Sequence, residues 1–259
     1  MLYLRRYIWC GLLAALLVGS IQTLVQRVQG IPIIIEAEKF ELSVERNHGE
    51  ITHSVKNDNA NEHDHNHHHD DTWSPSNGTE RLFWTWIANS LEAFSIALII
   101  YVLMSIIVVK NLENRYSRTK IVVYVATIGW ISFYLWPSLG LHAELPGVET
   151  GSLVERQLWW LLAAVSSLIA SIILISDATK ISRWAIGLIL LSMPFIIEAP
   201  MFSGDPFRAY TGESYLSMQG LAKQFALVTA YISLTFWISI AIVTRLIFDQ
   251  WLKPLISNS

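Results

Sequence analysis

Seven of the chain's eight histidines lie between His48 and His69. His63, His65, His67, His68 and His69 alternate with Glu62, Asp64, Asp70 and Asp71, and His48 and His53 stand just upstream. Neutral imidazole is a ligand for Co²⁺, Ni²⁺, Cu²⁺ and Zn²⁺, and the interleaved carboxylates add charge and oxygen donors. The tract is rich in Asn and Asp and imposes no fixed geometry. As a functional segment it collects divalent ions rather than selecting one; the competing reading is a solvated linker whose histidines do nothing.

Other chemistry is sparse. There is no phosphate-binding G-x-x-x-x-G-K-[ST] loop, no H-E-x-x-H, no G-x-S-x-G and no Cys-x-x-Cys. His142 stands apart from any triad partner, so moving or sensing an ion is favoured over covalent chemistry, and no enzyme activity and no resident cofactor are expected. A single cysteine, Cys10, excludes a disulfide framework or thiolate cage within this chain.

The elements that must position these residues are apolar. With 53% hydrophobic and 15% charged residues, the 259-residue chain is too greasy for a soluble domain, and its net charge of −3 offers no basis for binding nucleic acid. Crossing a hydrocarbon core of about 30 Å takes roughly 20 helical residues. Six apolar runs come near that length: Ile8–Val28, Leu82–Val109, Ile121–Leu139, Trp159–Ile175, Trp184–Ile197 and Phe225–Ile247. The fifth is short and is broken by Pro194, so the expectation is an all-α, polytopic membrane helix bundle of five or six transmembrane helices. It divides into a first transmembrane helix (1–29), a long extracytoplasmic His-rich loop (30–81) and a membrane bundle (82–259). Val18-Gly19-Ser20 could pass as a signal-peptidase site, but the first apolar run outlasts a usual signal core of about 7–15 residues and is read as a span.

Basic residues set the orientation. Arg5 and Arg6, then Lys110, Arg115, Arg118 and Lys120, then Lys180 and Arg183, then Arg245 and Lys253 all fall on one side of such a bundle. The positive-inside rule makes that side cytoplasmic, with both termini inside an inner membrane and the His-rich loop outside.

Acids mark a possible ion route. Glu92 sits ten residues into the second run, or about 15 Å at about 1.5 Å per residue, where a bare charge is costly and a wet or paired setting is needed. Thr85, Asn89, Glu92 and Ser95 share one helix face, which serves either packing or an ion path. Gln22, Gln26 and Gln29 form a polar stripe at the outer end of the first helix that reads as packing. Three outward helix ends meet Pro and then acid: Pro32 before Glu36 and Glu38, Pro137 before Glu144, and Pro194 before Glu198. Freed carbonyls and carboxylates there could form a cation vestibule, although Pro is also common at helix ends for steric reasons alone. The candidate metal residues are thus His63, His65, His67, His68, His69, Glu36, Glu38, Glu92 and Glu198.

Several blocks resemble a known family. They are Pro32-Ile33-Ile34-Ile35-Glu36-Ala37-Glu38; the His-rich loop; Trp73-Ser74-Pro75-Ser76-Asn77-Gly78-Thr79-Glu80-Arg81; Pro137-Ser138-Leu139-Gly140-Leu141 followed by Glu144-Leu145-Pro146-Gly147; and Arg156-Gln157-Leu158-Trp159-Trp160. Together they resemble the large subunit of Cbt-type cobalt transporters (CbtA), a resemblance that implies import of Co²⁺ for cobalamin synthesis, five spans and a small single-helix, His-rich partner subunit. Two positions depart from that pattern. Pro194-Phe195-Ile196-Ile197-Glu198-Ala199-Pro200 stands where the family tends to show Pro-His and then Gly-Ala-Pro, and His142 stands where it often has Pro. The implied partners are the lipid bilayer, a divalent ion and that subunit. Cobalt follows from the resemblance, since imidazole chemistry equally suits Ni²⁺ or Zn²⁺. The open alternatives are a non-transporting metal receptor or chaperone, and a nickel, zinc or cobalt exporter.

Overall fold

The computed structural model describes residues 2–54, 75, 78–110, 117–175 and 181–257, and every regular element among them is helical. The helices are α1 (Leu2–Val25), α2 (Ile31–Ser54), α3 (Thr79–Val109), α4 (Arg118–Trp130), α5 (Trp136–Ser138), α6 (Leu153–Ile175), α7 (Ile181–Ile196), α8 (Gly212–Ile247) and α9 (Lys253–Ser257). Among the described residues, five segments are long and apolar enough to cross a bilayer: Leu4–Val44, Thr79–Val109, Arg118–Ser138, Leu153–Ile175 and Gly212–Ile256. The fifth apolar run of the sequence is α7, whose 16 residues fall short of the roughly 20 a span requires.

Helix continues past Gly30, where the sequence suggests a loop. A π turn at Gln26–Gly30 joins α1 to α2, and helix runs on through Pro32 to Ser54. The same device occurs twice more, at Ile131–Leu135 before Pro137 and at Phe248–Leu252 before Pro254. Each time the residue preceding proline bonds five residues back: Ile31 N–H to Gln26 C=O, Trp136 to Ile131, and Lys253 to Phe248. Proline lacks an N–H, and its ring collides with the carbonyl four residues earlier in a regular α-helix. One wide turn shifts that carbonyl and lets the helix proceed. It also strands a carbonyl. Trp136 donates to Ile131 and Pro137 cannot donate, so the Ser132 C=O has no helical donor.

The core begins where α1 meets α3. Cys10, Ala14 and Val18 recur every fourth residue on α1 and face Ala93, Ala97, Ile100, Tyr101 and Met104, all essentially inaccessible. Small side chains at such spacing let backbones approach closely, which is how helices gain packing energy in lipid. The limit is reached at Gly19, where an added Cβ would lie 2.9 Å from the Ser90 Cα. From α8 and the turn after it, Phe236, Trp237, Ile240, Phe248 and Leu252 complete this core. A second cluster at the other end of α8 joins Ile33 and Ala37 of α2 to Leu145, Tyr210, Met218 and Leu221. Outward faces carry large apolar side chains, including Leu227, Ile189 and Leu161, which suits a lipid surround and would be a liability in water.

The two ends of the bundle differ. At one, Arg118 lies 3.6 Å from Asp249, which also pairs with Arg245. At the other, three arginines from separate segments each meet a glutamate: Arg81 with Glu38, Arg156 with Glu144, and Arg208 with Glu149.

Candidate functional site

The site is assembled at the glutamate–arginine end and continues into the bundle. Its scaffold is the 139–152 segment, held by the two blocks singled out in the sequence. Glu144 of the Glu-Leu-Pro-Gly block pairs with Arg156 of the Arg-Gln-Leu-Trp-Trp block, fastening the segment to the first turn of α6. Burial pushes the Glu144 carboxyl up, and the Arg156 guanidinium partly offsets it. Gly147 adopts φ 77°, a left-handed conformation natural to glycine, and its C=O accepts a 3.0 Å bond from the Tyr210 hydroxyl. Trp159 donates through Nε1 to the Pro194 C=O at 2.9 Å, an acceptor left open at the C-terminus of α7. Nearby, Trp136 Nε1 donates to Leu191 C=O at 3.2 Å. Indole donors therefore tie α5 and α6 to α7.

Three cavities adjoin one another. The first, about 580 Å³, lies beneath the 140–149 segment and is lined by Glu144, Glu149, Gln219 and Lys223 among others. Its neighbour, about 450 Å³, contains Tyr134, Arg156, Gln157 and Trp160, and both cavities are lined by Leu141, His142, Ala143 and Glu144. A third, about 440 Å³, lies between α1, α3, α6 and α8 and holds Gln22, Glu92, Thr229 and Ser233. Phe133, Tyr134 and Trp160 line both the second and the third. This aromatic partition is braced by Phe133 against Trp237, with ring centroids 6.2 Å apart, and by Tyr134, whose hydroxyl donates to Ala226 C=O at 3.3 Å. The series thus leads from Glu144 and Glu149 past aromatic rings to Glu92, the one carboxylate among the described residues that line the third cavity and itself exposed.

Above Glu92 the polar stripes of α1 and α3 meet. Asn89 and Gln26 exchange amide hydrogen bonds of 3.0 and 3.4 Å, and Asn89 also donates to Thr23 Oγ1 at 3.0 Å. Packing is the role of this part of the stripe, as its spacing suggests. Gln22 differs: its Nε2 donates to Ile232 C=O at 3.1 Å, while its Oε1 is buried without a partner.

The sequence-derived metal residues are dispersed among these features. His63, His65, His67, His68 and His69 lie outside the described residues. Glu36 is exposed on α2; Glu38, half-buried two residues on, is engaged by both terminal nitrogens of Arg81. Glu198 is exposed just beyond α7 and holds φ 58°, a left-handed conformation that costs a non-glycine residue about 1–2 kcal/mol. Glu92 is exposed and lines the third cavity. Among the described residues no three His, Cys, Asp or Glu side chains converge as a metal-holding group, so Glu36, Glu38, Glu92 and Glu198 do not gather as three or more in this conformation. Sequence reasoning missed the arginine partners, because a local reading shows a Pro-then-acid pattern but not which cation folds onto the acid. It also missed the partition at Phe133, Tyr134 and Trp160, whose aromatic residues read as interfacial or core.

Comparison with known proteins agrees with this architecture. No curated protein and no solved structure matches the chain. The family described as "Probable cobalt transporter subunit (CbtA)" matches residues 4–248, nearly the whole length. With five spans able to cross a bilayer, the chain belongs to the CbtA family of probable cobalt transporter subunits.

Proposed function

We propose that this chain is the permease subunit of a cobalt importer. The observation that carries the reading is the series of three adjoining cavities between Glu144 and Glu92, within a chain of the CbtA family. His63, His65, His67, His68 and His69 gather Co²⁺ outside, where neutral imidazoles exchange the ion readily because no rigid geometry holds it. Exposed Glu36 and Glu198, with Glu38, receive it at the mouth. A divalent ion competes with guanidinium for the same carboxylate oxygens, so Glu38–Arg81 and Glu144–Arg156 open as the ion enters and close behind it. The basic end of the bundle then faces the cytoplasm, in keeping with the positive-inside rule. As a subunit, the chain works with a partner polypeptide, which we take to be small, single-helical and His-rich.

Uptake of radiolabelled Co²⁺ into proteoliposomes containing the full chain, alone and with the partner, tests the reading. Accumulation that is released by an ionophore supports transport. Binding without accumulation in both preparations identifies a receptor instead. Import is favoured over export because a collector outside the membrane serves entry, whereas an exporter gains little by concentrating ions at its exit.

A further inference from the structure

Exposed Glu92 and buried Gln22 line one cavity between the helices. Gln22 is 4% exposed, and among the described residues its Oε1 has no hydrogen-bond partner. The bond from Nε2 to Ile232 C=O fixes which end of the amide carries oxygen. An unpaired buried acceptor is rare in a folded protein and calls for an explanation, of which a bound ion is one. Around it stand the Glu92 carboxylate and the hydroxyls of Thr229 and Ser233. Thr229 donates its own hydrogen to Ala226 C=O at 3.0 Å, which leaves oxygen lone pairs to offer. The Ile131–Leu135 π turn contributes Phe133 and Tyr134 to the adjoining wall. All these donors are oxygen, the set a hard cation requires.

Charge selects the valence. Apart from the phenol of Tyr134, Glu92 is the one ionisable group lining this cavity. A single carboxylate neutralises one positive charge. A divalent ion settling there leaves a full charge uncompensated in a low-dielectric setting, which is expensive. It therefore passes with part of its water shell, whereas a monovalent ion can shed water and stay.

We infer that Glu92, Gln22, Thr229 and Ser233 form an intramembrane sodium site beyond the aromatic partition of Phe133, Tyr134 and Trp160. Bound sodium completes the unpaired amide oxygen and braces α1, α3 and α8 against one another. In the transport reading, on which only this coupling role rests, its release and rebinding link the cobalt path to the sodium gradient.

The test uses the purified full-length chain in lipid nanodiscs, with sodium chloride replaced by choline chloride at constant ionic strength. Sodium is expected to raise the thermal midpoint saturably and to bind at one ²²Na⁺ per chain. Glu92→Gln is expected to abolish both responses, and Gln22→Leu to weaken binding tenfold or more. Ser95→Ala, on α3 outside the cavity, is expected to leave them intact. If Glu92→Gln does not fold, Gln22→Leu and Ser233→Ala carry the comparison. An equal response to choline, or sodium binding unchanged in Gln22→Leu, overturns the site. Sodium binding without cobalt uptake leaves the site standing and removes the transport reading; cobalt uptake without sodium binding does the reverse.

Discussion

Glu144 on the segment after α5 is ion-paired with Arg156 in the first turn of α6, and side chains from this pair line the two outer cavities. The contact fastens the 139–152 segment to α6 and places a partly buried carboxylate in the wall common to both cavities.

Removing the arginine should expose the cost of that burial. In Arg156→Gln the Glu144 carboxylate loses its charged partner, and stability at neutral pH is expected to fall by up to about 1 kcal/mol, since solvent screens an exposed pair. Burial already raises the folded pKa of Glu144 above its ordinary 4.5, and loss of Arg156 raises it further. An acid whose folded pKa is raised destabilises the fold fully above that folded value and not at all below its unfolded one. The deficit of Arg156→Gln should therefore shrink as pH falls through the window just above about 4.5. Thermal unfolding of both proteins between about pH 4 and 8 checks this; a deficit that grows with acidity contradicts it.

Replacing His63, His65, His67, His68 and His69 together by Ala separates collection from passage. Co²⁺ uptake at low concentration is expected to drop several-fold through a higher KM, with the maximal rate nearly kept, because interactions that only concentrate substrate act on KM. An equal fall in maximal rate would place the histidines on the path itself. Uptake measured against cobalt concentration decides.

Glu198 occupies a conformation that favours glycine, with φ 58°. Glu198→Gly is expected to stabilise the chain by about 1 kcal/mol, since the strain of a left-handed L-residue is relieved at a smaller entropic cost. Cobalt uptake is expected to fall at the same time. A variant both more stable and fully active would mean that the carboxylate has no part in the route.

At Gly19 even one methyl group is too many. Gly19→Val is expected to cost about 1–3 kcal/mol as α1 is forced away from the Ser90 backbone. The same displacement should break the Asn89–Gln26 amide exchange. Crosslinking between cysteines introduced on α1 and α3 would report the separation, and unchanged crosslinking with unchanged stability would refute close approach at this point.

Blocks of apolar residues, the spread of Arg and Lys and the run of histidines were enough to read a helical membrane protein from the chain alone, because lipid leaves so few options for an unpaired backbone. Such constraints are local: a span is recognised by its own twenty residues. Most of the site depends on partners distant in sequence. Pro32 reads as a helix end, yet a π turn carries the helix past it, since the wide turn answers a steric clash that helical spacing alone does not reveal. Glu38 and Glu144 read as available ligands until Arg81 and Arg156 are folded onto them. Gln22 and Gln26 read alike, four residues apart on one helix face, but only Gln26 finds an amide across the α1–α3 contact. The missing partner of Gln22 Oε1 becomes visible only when α1, α3 and α8 close around the same space, because satisfaction of a buried polar atom is a property of the assembled interior rather than of any one helix.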